Sequence, residues 1–304
     1  MDAIVAEIKK LYGATILENE PMNAHTTFKI GGPIRALVYP NTFETLEKLL
    51  SLLYRRNITP LILGNGSNIL AADEPIERIA VCTRPDGSGY SPYIELVGEN
   101  VITASSGAML SQLAVFAANN GLTGLEWAAG IPGTLGGAIK MNAGAYGGEM
   151  KQVVEIVTVI ENGSPREYKN PEMDFSYRRS RISETDGNLV SLASLRLAPG
   201  DPDKIKAKMK RFARQRKEKQ PLDLPSAGSA FKRPKDGYAA ELIDKAGLKG
   251  YTVGGARISD KHAGFIVNLG GAVCRDVLAV MEHVQAEVTR QFGVELEPEV
   301  KIVR

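Results

Sequence analysis

The chain has 304 residues, 43% of them hydrophobic and 24% charged, with a formal net charge of +2. That length supplies one large domain or two to three smaller ones, with a core that needs no disulfide staple, and the near-neutral balance argues against nucleic acid as the default partner. Cys82 and Cys274 lie far apart, and His25, His262 and His283 are scattered, so no metal centre is expected and the isolated thiols fit a reducing compartment.

Residues 2–12 predict an amphipathic helix with Ile4, Ile8 and Leu11 on one face, stopped at Gly13. It lacks the basic start and long apolar run of a signal peptide. No apolar run reaches membrane-spanning length, so a soluble, cytoplasmic protein is expected. Residues 23–40 predict two strands around Gly31, Gly32 and Pro33. Phe43, Leu46, Leu49, Leu50 and Leu53 predict a helix over about 42–56, with Asn41 and Glu44 as a capping box and Asn57 as its stop.

Residues 58–63 predict a buried strand that runs into Gly64-Asn65-Gly66-Ser67-Asn68. Small residues after a strand aim several backbone N–H groups at one point, which suits an anion such as a pyrophosphate. The same GNG is equally a common turn. No GxGxxG opens a helix and no GxxxxGK[ST] occurs, so neither a Rossmann site nor a P-loop is supported.

Strands are predicted at 79–82, 93–96 and 101–104, then a helix over 109–120. Residues 121–150, GLTGLEWAAGIPGTLGGAIKMNAGAYGGEM, interleave glycines with Leu125, Trp127, Ile131, Leu135, Ile139 and Met141. Glycines fixed among residues that should be buried predict a rigid cradle for a flat or phosphorylated ligand rather than a flexible loop. A strand over 153–160 turns at 161–164 into a second strand at 166–168.

Residues 175–182, FSYRRSRI, read as strand-like. A solvated edge is one account of its arginines, and a carboxylate partner for Arg178 beside Tyr177 is the other. A strand follows at 189–197, and 203–220 is a basic helix read as a solvated connection. Helices at 239–246 and 276–292 flank a buried strand at 264–269. Residues 294–303 alternate as a last strand, with Glu295, Glu297, Glu299 and Lys301 on one face and Pro298 marking an edge or irregularity. The elements together give an α+β class.

The ordered set HTTFKIGG (25–32), LGNGSN (63–68), GLEWAAGIPGTLGGAIKMNAGAYG (124–147), FSYRRSR (175–181), GSAFKRP (228–234) and LEPEVKI (296–302) resembles the UDP-N-acetylenolpyruvoylglucosamine reductases, over nearly the whole chain. The resemblance implies a vanillyl-alcohol-oxidase-type FAD-binding fold of two subdomains, residues 1–84 and 85–202. It also implies a C-terminal α+β substrate-binding domain, residues 203–304, entered by the basic helix. The short connection before GSAFKRP resembles the compact branch that lacks an inserted substrate-lid loop. With no histidine in GNGSN, FAD is expected to be non-covalent.

FAD is expected on Gly64, Asn65, Gly66, Ser67, Asn68, Gly130, Ile131, Pro132, Gly133, Thr134, Gly137, Asn142, Ala143 and Gly144. The pyrophosphate is expected between 64–68 and the 130–137 turns, and the flavin ring near 142–144. The implied reaction uses NADPH to reduce the enolpyruvyl ether of UDP-N-acetylglucosamine enolpyruvate by way of FAD, giving UDP-N-acetylmuramate for peptidoglycan. The chain is expected to act as a monomer.

By resemblance Arg178 binds and polarises the substrate carboxylate, Ser229 donates the proton, and Glu299 assists at the enol, its pKa raised by burial. Tyr177, Arg178, Lys232 and Asn268 are expected substrate contacts. Lys232, Arg233, Arg257, Lys261 and His262 are further candidates for a positive cleft. Two other readings remain open: a flavin-dependent oxidase of the same superfamily with a different substrate, and a non-catalytic nucleotide-sugar binder.

Overall fold

Amphipathic spacing forms helices where the sequence predicts them. The computed structural model describes residues 2–12, 14–84 and 92–304. The expected division at 84/85 borders residues 85–91, which lie outside the described residues, as do Gly13 and the Leu11 side chain. In α1 (Asp2–Tyr12), Ile4 and Ile8 are buried. In α2 (Phe43–Arg55), Leu46, Leu49, Leu50, Leu52 and Leu53 turn inward. The helix is capped by Thr42, whose hydroxyl accepts the Thr45 N–H at 3.0 Å, and not by the Asn41–Glu44 box expected. Asn57 ends it at φ 55°.

The chain forms two compact units. Unit 1 comprises Met1–Glu18, Arg35–Gly64 and Arg78–Arg214, and unit 2 comprises Asn19–Ile34, Asn65–Glu77 and Gln215–Arg304. Unit 1 holds a five-stranded antiparallel sheet in the order Ser164–Lys169, Val154–Glu161, Leu189–Arg196, Val101–Ser105, Ile94–Val97. Helices α3 (Leu110–Asn119) and α4 (Leu135–Lys140) pack on it around Leu110, Leu113, Leu125, Trp127, Leu135 and Ile139. A second sheet takes the order Thr15–Pro21, Pro33–Tyr39, Ile76–Cys82, Leu61–Leu63, the last two strands parallel.

Helix α5 (Pro202–Lys219) buries Ile205 and packs Met209 and Phe212 on the unit 1 core, with Phe212 stacked on Tyr146 at 4.5 Å between ring centroids. Most of its cations face solvent, as the sequence reading expected.

Unit 2 is built on an antiparallel sheet in the order Ser226–Ser229, Phe265–Asn268, Ala256–Ile258, Thr252–Val253. Helix α6 (Ala239–Lys245) and α7 (Cys274–Phe292) share its core, where Val277, Val280, Met281, Val284 and Val288 meet Phe231, Ile258 and Ile266. Asp73 caps α7, accepting the Cys274 N–H at 2.6 Å and the Arg275 N–H at 3.2 Å, where an anion opposes the positive end of the helix dipole. Gly293 closes α7 at φ 67°.

Three expected strands are not formed as read. Of residues 23–30, Met22–Ala24 is a 3-10 turn and the rest is irregular, with Lys29 at φ 58°, while Thr15–Pro21 is a strand that the sequence reading missed. Residues 175–182 form a tight turn in which only Ser176 and Arg179 bridge. Of 294–303, only Lys301–Val303 is a strand, parallel to Ile69–Ala71. Pro298 breaks the alternation, so Glu299 and Val300 are both buried and Ile302 is 40% exposed.

Candidate functional site

In unit 1 two segments, 106–110 and 133–136, converge by backbone pairing. The Gly136 N–H donates to the Ser106 carbonyl at 2.9 Å, the Leu135 N–H to Ala108 at 2.8 Å, and the Leu110 N–H to Gly133 at 3.0 Å. Gly64 closes on the same place, since a Cβ there would lie 2.4 Å from Thr134 Oγ1. The Ser106 hydroxyl is buried in this junction and has no hydrogen-bond partner among the described residues. An unpartnered buried hydroxyl costs roughly 1–3 kcal/mol, and a ligand oxygen would satisfy it.

Gly137, one position beyond the junction, meets nothing closer than Thr134 Oγ1 at 3.7 Å, so the protein's own packing does not demand glycine there. A buried donor and a spare methyl's worth of room fit a phosphate-bearing cofactor. Sequence reasoning missed Ser106. The run of small residues 104–108 between a strand and a helix was the available signal.

The remaining expected cofactor residues fall in two places. Asn65, Gly66, Ser67 and Asn68 lie in unit 2, where the Gly66 carbonyl accepts the Thr27 N–H at 3.2 Å. Gly130, Ile131, Pro132, Gly133 and Thr134 lead into α4, and Asn142, Ala143 and Gly144 follow it. The Asn142 side chain is fully engaged: Nδ2 donates to Glu149 and to the Ser176 carbonyl, each at 3.0 Å, and Oδ1 accepts the Lys151 N–H at 2.9 Å. Ala143 pairs within the same loop, accepting the Met150 N–H at 3.0 Å. Gly144 is required by its own hairpin, since a Cβ would sit 2.6 Å from the Gly148 carbonyl oxygen.

Asn142 thereby anchors the turn that carries Tyr177 and Arg178. Ser180 and Ser183 reinforce it, both donating to the Lys140 carbonyl, at 2.8 and 2.6 Å. At the tip, Arg178 adopts φ 54°, with its guanidinium 5.1 Å from the Tyr177 ring centroid. A left-handed arginine is strained, and such strain concentrates at functional sites.

In unit 2 the strand Ser226–Ser229 carries a bulge: Ser226 pairs with Val267 and Ser229 with Phe265, so one extra residue is inserted on its side. Gly228, at φ 79°, makes the bulge possible, and bulges re-aim the side chain that follows them. That side chain is Ser229. The next residues run alongside the C-terminal segment, where the Glu299 N–H donates to the Ala230 carbonyl and the Lys232 N–H to Glu297, both at 2.8 Å. Glu299 is 9% exposed, which excludes the solvated-strand account of it.

The other candidates of unit 2 are already engaged. Asn268 donates to the Phe28 and Lys29 carbonyls and accepts from Gly270 and Ala272, so all its hydrogen-bonding positions go to backbone. Lys232 pairs with Glu297, Arg257 with Asp260 at 3.7 Å, and Lys261 donates to the Lys217 carbonyl at 2.6 Å. The Arg233 guanidinium lies over Tyr238, 4.4 Å from the ring centroid. Burial holds the His262 imidazole below the ordinary histidine value, so it is not a cation near pH 7. Among the described residues no cluster of His, Cys, Asp and Glu could hold a metal ion, and no helix is long and apolar enough to cross a membrane.

Two family models match: an FAD binding domain over residues 34–167 and the UDP-N-acetylenolpyruvoylglucosamine reductase C-terminal domain over 220–303. A UDP-N-acetylenolpyruvoylglucosamine reductase from Caldanaerobacter subterraneus subsp. tengcongensis is 49% identical over 287 residues, 94% of this chain and 92% of the relative. The chain belongs to the UDP-N-acetylenolpyruvoylglucosamine reductase family. A reductase of that name from Agathobacter rectalis is 44% identical, covering 95% of this chain and 94% of its own. The crystal structure of the Thermus caldophilus reductase matches with a TM-score of 0.78 at 34% identity, over 96% of this chain and 99% of that one. The α+β fold, with its FAD binding domain over residues 34–167, is therefore the fold of this reductase family.

FAD fits the residues present. Gly64, Ser106 and Thr134 form a junction with one unsatisfied buried hydroxyl, and Gly137 just beyond it leaves room for a ligand atom. Gly137→Ala is expected to hold or raise the melting temperature, since alanine exceeds glycine by about 0.5–1 kcal/mol inside a helix. The added methyl should weaken FAD binding by roughly ten- to a hundredfold, the size of an overpacked contact. Flavin fluorescence titration of stripped protein measures it, and an unchanged affinity would place the cofactor elsewhere. Valine at Gly144 would not discriminate, because it clashes with the hairpin itself.

Proposed function

We infer that the chain catalyses the NADPH-dependent, FAD-mediated reduction of UDP-N-acetylglucosamine enolpyruvate to UDP-N-acetylmuramate, a step in peptidoglycan precursor synthesis. The observation that carries this reading is the bulge that aims Ser229, running beside a buried Glu299, in a chain of the reductase family. Bound FAD would supply the hydride that originates in NADPH. The cofactor would rest on 64–68, Ser106, Thr134 and Gly137, and non-covalently, since no histidine stands in 64–68.

The residues then divide the remaining work. The Arg178 guanidinium holds the substrate carboxylate and draws charge into it, with Tyr177 beside it. As the double bond takes up hydride, negative charge develops at the carbon that bears the carboxylate. The Ser229 hydroxyl delivers its proton to that carbon, and the adduct is the lactyl ether. Glu299 stabilises the enol from its buried position. Lys232 and Asn268 serve through what they hold: Glu297 for the first, and the backbone at 28–29 and 270–272 for the second.

Functionally we divide the chain into residues 1–84 and 85–202 for the cofactor and 203–304 for the substrate. We place its work in the cytoplasm, as a monomer; both cysteines are free and buried, in keeping with a reducing compartment.

Anaerobic mixing tests the reading. NADPH should bleach the yellow protein, and UDP-N-acetylglucosamine enolpyruvate should restore the colour faster than oxygen does. Bleaching without recovery on the sugar would leave a flavin oxidase with another substrate, and colourless protein would exclude both.

A further inference from the structure

The HTTFKIGG segment carries the family resemblance but has no part in the reaction as assigned above. Its third residue, Thr27, makes two bonds in opposite directions. The N–H donates to the Gly66 carbonyl at 3.2 Å, and the hydroxyl donates to the Ser226 carbonyl at 2.7 Å. The first bond joins it to the GNGSN turn. That turn is locked against the same segment, because Gly66 has φ 60° and a Cβ there would lie 2.2 Å from the His25 carbonyl oxygen. The two stretches touch backbone to backbone, so neither shifts alone. The second bond reaches the residue that opens the bulge, two positions before Gly228 and three before Ser229.

We propose that Thr27 is a positioning residue through which the Gly66 turn holds the bulge that aims the Ser229 hydroxyl. This rests on the reading above, in which 64–68 hold the FAD pyrophosphate and Ser229 gives the proton. A ligand that orders the turn then also orders the proton donor's strand. A parallel tie serves Glu299: Asn68 Nδ2 donates to its carbonyl at 3.0 Å, and the Asn68 carbonyl accepts the Lys301 N–H at 2.9 Å. One loop therefore sets the backbone of both residues assigned to the enol.

Thr27→Val removes the hydroxyl donor while keeping the N–H and the side-chain size. It should leave flavin reduction by NADPH unchanged and slow reoxidation by UDP-N-acetylglucosamine enolpyruvate by on the order of ten- to a hundredfold, the scale of a misaimed reacting group. Thr27→Ser, which keeps the hydroxyl, should restore the rate. A second readout needs no turnover. In the full chain stripped of flavin, hydrogen exchange at 226–230 should be faster in Thr27→Val than in wild type. Adding FAD should slow that exchange in wild type and leave it unchanged in the variant.

Equal losses in both half-reactions, an unaltered reoxidation rate, or the same FAD protection in both proteins would overturn the assignment. A wild-type protein that takes up no FAD, or that NADPH does not bleach, would overturn the functional reading instead. The exchange comparison without flavin would then still decide whether Thr27 holds the bulge.

Discussion

Ser229→Ala is expected to leave bleaching by NADPH intact and to slow reoxidation by the enolpyruvyl sugar by ~10²–10⁴-fold, the usual contribution of one general acid. The substitution removes a single hydroxyl. The backbone that places it is untouched, because Ser229 pairs with Phe265, and the Ala230 N–H with the Gly264 carbonyl, through main-chain atoms. Folding should therefore be unaffected, and the loss should be confined to the step that needs a proton. A serine hydroxyl is a weak acid and would be a poor donor to most acceptors. The carbon it would protonate in the proposed reaction carries enolate charge and is strongly basic, which reverses the usual objection. Rapid mixing separates the two half-reactions, and an equal loss in both would show that Ser229 acts on the fold or the cofactor instead.

What was legible in the sequence follows from where local pattern decides structure. The spacing of Leu46, Leu49, Leu50 and Leu53, and of Val277, Val280, Met281, Val284 and Val288, fixes α2 and α7 because a helix reads its own neighbours. The packing of 121–150 was legible in part for a similar reason, since apolar residues interleaved with glycine demand burial: Leu125, Trp127, Leu135 and Ile139 are buried, while Ile131 and Met141 are only half-buried.

The misread stretches are those where distant contacts override alternation. Residues 23–30 look strand-like, but Gly66, Ser226 and Asn268 take up their backbone and side-chain groups from far along the chain. Residues 294–300 alternate in the sequence, yet pairing with 230–232 turns Glu299 inward at Pro298. The Ser226–Ser229 bulge has no local signature beyond Gly228, and Ser106 shows its importance only through the absence of a partner. No motif spacing could have told that Thr27 bonds both the Gly66 and the Ser226 carbonyls; only the fold shows it.

Arg178→Gly is expected to abolish most of the activity while leaving the protein folded. The arginine sits at φ 54°, a conformation that costs a side-chain-bearing residue roughly 1–2 kcal/mol and a glycine almost nothing. Against that relief stand the greater freedom of glycine in the unfolded chain and the loss of the side chain's contacts, of which that with Tyr177 is worth about 0.5–1 kcal/mol where exposed. The rest of the turn stays held by the Ser176–Arg179 bridge, by Asn142 and by the two serine bonds to Lys140, none of which uses the Arg178 side chain.

Reoxidation by the enolpyruvyl sugar should fall by ~10²–10³-fold, the scale of losing one preorganised charge partner in a transition state. Arg178→Lys should recover only part of it, because a point charge cannot reproduce the two-pronged grip on a carboxylate. Thermal melts beside the two half-reactions decide between roles. A stable, inactive Arg178→Gly identifies strain retained for the sake of chemistry. A destabilised variant that still turns over would make Arg178 a structural residue and return the carboxylate to another cation.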